Sequence, residues 1–261
     1  MDINQANIAN LTSLWEHYGA APLADESTWP FKVNHVWPHR CWHPEPGSLT
    51  CMAPLAEARA GVMFPLWPDL HGASLQFPEE RELALKHAGW DCVLAQTAMY
   101  LPLSVSDYPP TSDKPITSAE LVVRNITRVE EVSSWIEVVN EAFGYRVDAR
   151  AIASLLECEQ AQLYVGVWAG EVVASALLYY TGEVVGLHQV ALKQTHQGQG
   201  LAKSMMQDLL RLAVASGAQY MVLQASAAGR PLYENLGFIT QFEIRSYSNR
   251  ASQLKSVTAC H

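Results

Sequence analysis

The stretch HQGQGLAKSMM, His196–Met206, decides the fold of this chain. It places Gly198 and Gly200 a few residues after an apolar segment, HQVAL at 188–192, and directly before residues with helical periodicity. Glycine lets backbone N–H groups approach an anion because no Cβ intrudes, and the first turn of a helix has N–H groups without intrahelical acceptors. The stretch therefore predicts an anion-binding turn between a strand and a helix, and the turn around Gly198 and Gly200 is called the glycine turn below.

Three phosphate-binding patterns compete for this turn. A P-loop requires glycines where this chain has Gln197 and Ala202. A dinucleotide-binding fingerprint accepts Gly198 and Gly200 but meets Lys203 at its third glycine, and the preceding segments indicate an antiparallel meander rather than a βαβ unit. The third pattern, Q/R-x-x-G-x-G/A, is satisfied by Gln197, Gly200 and Ala202.

That third pattern resembles the acetyl-CoA-binding motif of the GNAT superfamily of acyl-CoA-dependent N-acyltransferases. Downstream, PLYENLGF at 231–238 resembles the other signature of this family, and WIEVVNEAFG at 135–144 and GEVVASALL at 170–178 look like its early elements. The resemblance covers roughly Leu121–Tyr247. It implies a GNAT-type α+β fold, in which helices flank a mixed, mostly antiparallel sheet, and it implies acetyl-CoA as a cosubstrate.

The resemblance also implies where the coenzyme binds. The diphosphate is expected at the glycine turn and the pantetheine arm beside the strand at 187–192. Charge-assisted hydrogen bonds contribute about 1.5–3 kcal/mol each, so three or four are comparable to the ~8 kcal/mol of micromolar affinity, part of which is lost to binding costs. The predicted coenzyme-binding residues are Val190, Leu192, Gln197, Gly198, Gln199, Gly200, Leu201 and Ala202.

Tyr233 is the predicted general acid. The resemblance implies that its hydroxyl lies near the coenzyme sulfur, where it would protonate the departing thiolate. The asparagine that many relatives carry shortly before this helix is not evident, since residues 226–228 are Ser-Ala-Ala. The resemblance therefore implies one coenzyme contact for which this segment offers no matching residue.

A base is useful because an alkylamine with a pKa near 10.4 is mostly protonated at pH 7, and its deprotonation costs about 4.6 kcal/mol. His188 is the predicted catalytic base, since it lies two residues before Val190 and shares its face by strand alternation. A histidine that is merely hydrogen-bonded in the core is the alternative. Gly186 leaves no glutamate base on that strand, and Glu183, expected in a turn, or a water molecule remain open as the base.

The segment DYPPTSDKP at 107–115 indicates a domain boundary, because its prolines lie among small polar residues. This segment is called the seam below. We expect an N-terminal domain at 1–107, a linker at 108–117 and a catalytic domain at 118–261. After the seam, the pattern predicts a strand, two helices, a three-stranded meander, a helix, a strand, a helix and a strand. The first helix carries an apolar stripe of Val129, Val132, Trp135, Ile136, Val139 and Phe143.

An internal repeat connects the two halves. Leu75–Trp90 aligns without gaps with Leu223–Phe238, and Trp15 is matched with Trp135. The matched landmarks are 60 residues apart in the first half and 88 in the second, and Leu85 stands where the second half has Tyr233. The N-terminal half is therefore predicted to be a degenerate GNAT-like copy without the glycine turn; chance similarity is the alternative.

Composition narrows the class of protein. The chain has 49% apolar residues, 16% charged residues and a formal net charge of −9, which argues against nucleic acid as a partner and mildly favours a cationic one. The N-terminus resembles no signal peptide, and no apolar window is long enough for a membrane span. Five cysteines without a C-x-x-C motif indicate reduced thiols. We expect a cytoplasmic protein without membrane attachment.

Three further groups of residues have side chains suited to a metal, a core or an acceptor. His39, Cys41 and His43 would share a face of an extended segment as metal ligands, but the neighbouring prolines favour an irregular segment, and no metal is predicted. The tryptophans of the first half are expected to build the core and domain interface: Trp15, Trp29, Trp37, Trp42, Trp67 and Trp90. Acceptor-lining candidates, each with core packing as the alternative, are Phe143, Tyr145, Tyr179 and Tyr180.

The sequence thus predicts an N-acetyltransferase that moves an acetyl group from acetyl-CoA to an amine of a small molecule or peptide, by direct attack and without a covalent enzyme intermediate. A catalytically inactive acyl-CoA-binding sensor or interaction module is the alternative. The identity of the amine and the oligomeric state stay open, with a homodimer as one alternative.

Overall fold

The computed structural model describes residues 1–23, 31–43, 61–70, 75–108 and 120–249. Its contacts divide the chain into two compact units: Met1–Met99 with Gln224–His261, and Tyr100–Leu223. The fold is mixed α+β with mostly antiparallel strands and flanking helices, which confirms the predicted fold class. The predicted linker lies almost entirely outside the described residues, so the boundaries at 107 and 118 stay a prediction.

The helices and strands follow one another along the chain with these bounds. They are α1 Ile3–His17, β1 Ala20–Pro22, β2 Lys32–Asn34, β3 Cys41–Trp42, β4 Met63–Leu66, α2 Glu79–His87, β5 Trp90–Pro102, β6 Val122–Ile126, α3 Val132–Phe143, α4 Ala149–Ser154, β7 Ala161–Trp168, β8 Glu171–Thr181, β9 Val184–Leu192, α5 Leu201–Ala215, β10 Tyr220–Ser226, α6 Arg230–Asn235 and β11 Ile239–Asn249. After the seam, this is the predicted order of elements.

In the second unit, the strand order is β10-β9-β8-β7-β6. The β6-β7, β7-β8 and β8-β9 pairs are antiparallel, whereas β9 and β10 are parallel. Tight turns join the meander where the sequence predicts them, at Ala169 and Gly170 with φ of 49° and 85° and at Gly182 with φ of 60°. Strand β9, the last strand of the meander, therefore leads to the glycine turn. One of its edges pairs with β8 and the other with β10.

Helix α3 buries most of its predicted stripe, namely Val132, Trp135, Ile136 and Val139. The prediction is wrong for Val129 and Phe143, which are 63% and 43% exposed. Val129 lies in a short 3-10 helix ahead of α3, where the periodicity differs. Phe143 is the last residue of α3, and its ring stacks on Tyr145.

In the first unit, β1-β2-β3 form a small sheet, and β11 lies between β4 and β5. Phe31, Phe64, Leu85, Trp90 and Tyr247 are among the buried side chains that pack together here. Of the tryptophans expected in the core, five are buried and Trp29 lies outside the described residues. None of the helices in the described ranges is long and apolar enough to cross a bilayer.

A buried polar network attaches α1 to the strands on either side of α6. The fully buried Asn7 donates from Nδ2 to Gln241 Oε1 at 2.6 Å and to Met99 O at 3.2 Å. Its Oδ1 accepts from Gln224 Nε2 at 2.6 Å. Because Gln224 lies in β10 and Gln241 in β11, Asn7 fixes both ends of the segment that carries α6.

The second part of the proposed repeat has a similar local structure in both halves of the chain. Helices α2 and α6 both lead through a glycine with positive φ, Gly89 at 84° and Gly237 at 90°, into a long strand. Leu85 and Tyr233 are both buried on these helices. The common helix-glycine-strand unit agrees with a duplicated segment.

The remaining matches of the repeat are not reproduced. Leu223 lies within β10, whereas Leu75 lies outside any strand. Trp15 is in the last turn of α1 and Trp135 in the first turn of α3, so the two tryptophans are not equivalent. The degenerate N-terminal copy therefore stays a prediction.

Candidate active site

The glycine turn connects β9 to α5. After Leu192 the chain passes through a short 3-10 helix and reaches Gln197 in an extended conformation. Gly198 and Gly200 then have φ of 75° and 79°, a left-handed conformation that side chains with a Cβ disfavour. Helix α5 begins at Leu201, where the sequence predicts it.

The start of α5 is suited to an anion. Gly200 is the N-cap residue and supplies no side-chain hydrogen bond, and the first turn contains no acidic residue. The N–H groups of this turn therefore keep the capacity to bind an external acceptor. A Cβ added to Gly198 or Gly200 would meet no atom within 4 Å, so the space before the helix is open. These glycines are needed for conformation and for access rather than for packing.

Amide side chains hold the turn in shape. Gln197 Nε2 donates to Leu192 O at 3.4 Å, and Gln199 Nε2 donates to Thr195 O at 3.3 Å. The backbone N–H of Gln194 donates to Glu141 Oε1 at 3.0 Å, which ties the turn to α3. Gln197 and Gln199 thus shape the turn through backbone contacts, a role that residue spacing alone does not reveal.

A bulge interrupts β9 at Gln189. Leu177 pairs with His188 and Ser175 with Ala191, so one residue more lies on β9 than on β8 between these pairs. Gln189 has a φ of 50°, and its carbonyl accepts from Ser175 Oγ at 3.2 Å. His188 consequently shares its face with Ala191.

The predicted common face of His188 and Val190 is therefore wrong. Strand alternation assumes that no extra residue intervenes, and the bulge adds one. Nothing in the residues HQV shows that a bulge occurs there. The positive φ of Gln189, rare for a residue with a Cβ, marks this point as a special site.

One edge of β9 is open next to the bulge. In the part of the chain that the structure describes, the β9-β10 ladder covers only Val184–Gly186 against Tyr220–Val222. From Leu187 onward, the β10 side of β9 has no strand partner in this ladder. Val190 and Leu192, both predicted coenzyme contacts, lie on this segment and are partly exposed.

His188 is buried, and desolvation lowers its pKa to about 3. A histidine with such a pKa is neutral at pH 7 but accepts a proton only weakly. Glu183 lies in the β8-β9 turn, as predicted, and accepts from Gln219 Nε2 at 2.7 Å. It precedes the first residue of β9, so it is at the opposite end of that strand from the glycine turn.

Tyr233 lies on α6 and is 9% exposed. Burial raises the pKa of its hydroxyl to about 12, so the phenol is protonated at neutral pH. Its ring packs edge-to-face on the ring of Phe238, and the two ring centroids are 5.6 Å apart. A Cβ on Gly229 would lie 3.4 Å from the Tyr233 ring and 3.3 Å from Ser226 Oγ, so glycine there leaves room for both.

Ser226 is a residue whose role the sequence did not show. Its Oγ accepts from the N–H of Gly229 at 3.1 Å, immediately before α6 begins. A hydroxyl thus orders the approach to the helix in the region where an asparagine is not evident. The signal for this turn was Gly229 followed by a proline in the first turn of the helix.

The acceptor-lining candidates divide into two pairs. Tyr179 is 1% exposed, and Tyr180, half-buried, donates to Gln162 Oε1 at 3.4 Å. Phe143 and Tyr145 are instead exposed and stacked on each other. Only the second pair presents its rings to solvent.

The segment around Cys41 contains two histidines near the cysteine in the sequence, His39 and His43. Within the described residues, no group of three or more His, Cys, Asp or Glu side chains is arranged to hold a metal ion. Burial raises the pKa of the Cys41 thiol to about 12, which disfavours the thiolate that a metal requires. The His43 ring packs edge-to-face on the ring of Phe31, and the two ring centroids are 5.3 Å apart.

Solved structures share this fold. A GCN5-related N-acetyltransferase from Kribbella flavida is similar over 94% of this chain and 95% of its own, with 17% identity and a TM-score of 0.64. One from Sphaerobacter thermophilus covers 75% of this chain and 62% of its own, with 17% identity and a TM-score of 0.53. A functionally unknown conserved protein from Staphylococcus epidermidis has 11% identity and a TM-score of 0.52, over 75% and 74% of the two chains.

Sequence comparison gives the family. None of the curated proteins matches this chain. Residues 131–238 match the model of the acetyltransferase (GNAT) family, and this span contains the bulged strand β9, the glycine turn and Tyr233. The chain therefore carries a domain of the GNAT acetyltransferase family.

Proposed function

We propose that this chain is an N-acetyltransferase that transfers the acetyl group of acetyl-CoA to the amine of a small molecule or peptide. The observation that carries the proposal is the turn at 197–202, which follows the bulged strand β9 and opens α5 within a GNAT-family span. An anionic coenzyme accounts for two features that occur together. The N–H groups at the start of α5 face open space, and the preceding strand β9 has an edge without a strand partner in the described ladder.

In this proposal, the coenzyme lies along β9. Its diphosphate accepts hydrogen bonds from the first turn of α5, beside glycines that let it approach. Its pantetheine arm pairs with the open edge of β9 from Leu187 to Leu192, where backbone groups lack a β10 partner in the described ladder. The strand that leads to the turn thereby directs the thioester.

The reaction is a direct attack. The neutral amine nitrogen forms a bond with the thioester carbonyl carbon, and the C–S bond breaks. The nitrogen then gives one proton to water, which leaves a neutral amide, and the departing thiolate takes a proton. Tyr233 supplies that proton, because burial keeps its hydroxyl protonated at neutral pH. Solvent then reprotonates the phenolate.

The amine must lose a proton before or during the attack. Removing it from a free alkylamine at pH 7 costs about 4.6 kcal/mol. The lowered pKa of His188 makes a water relay the better-supported base, with His188 as a hydrogen-bonding group that orients it. A rate that rises with pH through the pKa of the amine itself supports this assignment; a rate governed by a group titrating near pH 6–7 contradicts it.

The first experiment measures two properties of the purified chain. Acetyl-CoA should raise the melting temperature, because a ligand that binds the folded state stabilises it. Addition of amines, amino acids and peptides should then release free thiol for at least one acceptor class. A thermal shift without thiol release would support an acyl-CoA-binding sensor, and the absence of any shift would exclude coenzyme binding.

Tyr233→Phe tests the general acid. The substitution keeps the ring that packs on Phe238 and removes only the hydroxyl. We expect kcat to fall at least tenfold, in the range that general acid catalysis supplies, while acetyl-CoA affinity changes little. Thiol release and calorimetric titration of acetyl-CoA give the two readouts. Unchanged kcat would remove Tyr233 from the mechanism.

A further inference from the structure

An exposed pair of aromatic rings lies at the end of α3. Phe143 and Tyr145 flank Gly144, whose φ of 71° turns the chain and brings both rings to the same side. The rings are nearly parallel, at 7°, with centroids 5.6 Å apart. They are 43% and 41% exposed. Two large rings that are stacked together and still exposed form a small apolar surface able to receive another group.

Hydrogen bonds hold this pair beside β9. Tyr145 donates from its hydroxyl to Gln189 Oε1 at 2.9 Å, and Gln189 is the residue at the bulge. At the same helix end, Glu141 Oε1 accepts from the N–H of Gln194, at 3.0 Å, where the chain leaves β9 for the glycine turn. The end of α3 is thus attached to β9 at the bulge and just beyond its last residue.

The position of the pair defines what it can contact. The proposed thioester lies along the same stretch of β9, so an acceptor that attacks it approaches from groups next to the bulge. An amine at pH 7 is mostly an ammonium ion before it reacts. Ring faces attract such cations, and a planar ring in the acceptor can extend the stack.

We propose that the Phe143–Tyr145 pair is the specificity surface for the acceptor and selects amines whose body contains a planar aromatic ring. This inference rests on the proposed acetyltransferase function. Tyr145 is held in place by Gln189, so the bulged strand positions the surface as well as the coenzyme. Phe143 provides the second ring of the stack.

The test compares two amines of similar size, 2-phenylethylamine and 2-cyclohexylethylamine, which differ in whether the ring is planar and aromatic. We expect kcat/KM to favour 2-phenylethylamine by about two- to tenfold, the range that ring stacking supplies beyond buried area. Phe143→Leu keeps apolar volume at an exposed position and should abolish the preference. Tyr145→Phe keeps the ring but loses the bond to Gln189, and it should weaken the preference.

Val129→Ala is the matched control. Val129 is also exposed and apolar but precedes the first residue of α3, at the other end from Phe143. This variant should keep the wild-type preference and the wild-type KM for acetyl-CoA. Phe143→Leu should also keep that KM, because the surface contacts the acceptor and not the coenzyme.

The outcomes separate the two proposals. If both amines react equally well in the wild type, or if the preference survives in Phe143→Leu, the specificity surface is wrong and the acetyltransferase function stands. If Phe143→Leu raises the KM for acetyl-CoA instead, the rings bind the coenzyme and the inference fails. If neither amine reacts while another acceptor does, the specificity surface is wrong. If no acceptor in the panel of amines, amino acids and peptides reacts, the acetyltransferase function fails. Calorimetric titration of both amines into the coenzyme A complex then decides: ring-selective binding lost in Phe143→Leu supports the surface, and any other result overturns it.

Discussion

At the residue scale, burial sets the protonation of His188 and Tyr233. Desolvation lowers the pKa of His188 to about 3 and raises that of Tyr233 to about 12. Both side chains are therefore neutral at physiological pH, but with opposite consequences. The tyrosine keeps the proton that a thiolate would need, whereas the histidine has lost basicity. The sequence named Tyr233 as the candidate acid and His188 as a candidate base with core packing as its alternative, and burial weakens the case for His188 as the base.

The pH dependence of stability tests the burial of His188. The unfolded chain binds this proton near pH 6.5 and the folded chain only near pH 3, so the unfolded state binds more protons between these values. The free energy of unfolding must then fall as the pH decreases through this window, by up to about 1.4 kcal/mol per pH unit for one group.

His188→Gln removes this contribution. We expect its unfolding free energy, measured by urea denaturation from pH 7 to pH 4, to fall less steeply than that of the wild type. His87→Gln, at an exposed position of α2, is the matched control for replacing an imidazole. Equal slopes in the wild type and His188→Gln would show that His188 is not buried as a neutral group.

At the element scale, α5 is bounded by two glycines with the same backbone conformation. Gly200 precedes it with a φ of 79°, and Gly217 follows it with a φ of 85°. An added Cβ would meet no atom within 4 Å at either position. Alanine should therefore impose the same kind of strain at both, about 1–2 kcal/mol for a left-handed residue.

Gly200→Ala and Gly217→Ala form a matched pair. We expect similar losses of stability in urea denaturation, but only Gly200→Ala should weaken acetyl-CoA binding, at least tenfold, because a misplaced first turn forfeits charge-assisted hydrogen bonds. Calorimetric titration measures the affinity. Equal affinities for acetyl-CoA in the two variants would show that the glycine turn is not the diphosphate site.

At the scale of the whole molecule, the last strand belongs to the first unit. β11 lies between β4 and β5 and pairs antiparallel with β4, for example Tyr247 with Phe64. Tyr247 is fully buried there and donates to Glu82 Oε1 at 2.7 Å. The C-terminal end of the chain therefore depends on residues that precede the predicted seam.

Expression of residues 118–261 alone tests this dependence. The fragment lacks β4 and β5, so both edges of β11 lose their partners and Tyr247 loses its core. We expect the fragment to unfold at a lower urea concentration than the full chain, because β11 has lost its partners while most of the second unit is retained. Equal unfolding midpoints would instead establish 118–261 as an autonomous domain.

Local chemistry made much of the second unit predictable. The meander turns at Gly170 and Gly182 and the start of α5 at Leu201 follow from glycine placement and apolar periodicity, which act over a few residues. The sequence also placed the glycine turn before α5, because closely spaced glycines between a strand and a helix indicate a turn with left-handed residues. The apolar periodicity predicted that the α-helix already includes Val129. This is wrong, because Val129 lies in a 3-10 helix, which has fewer residues per turn than an α-helix.

The sequence by itself determined the order of elements after the seam and the glycine turn, which depend on neighbouring residues, and its resemblance to the GNAT family named Tyr233 as the candidate acid. Only the tertiary structure decided the bulge at Gln189, the attachment of Tyr145 to it and the lowered pKa of His188. It also decided that β11 pairs in the first unit. These features depend on strand register, burial and contacts between distant segments, and none of these has a local signature in the residues that take part.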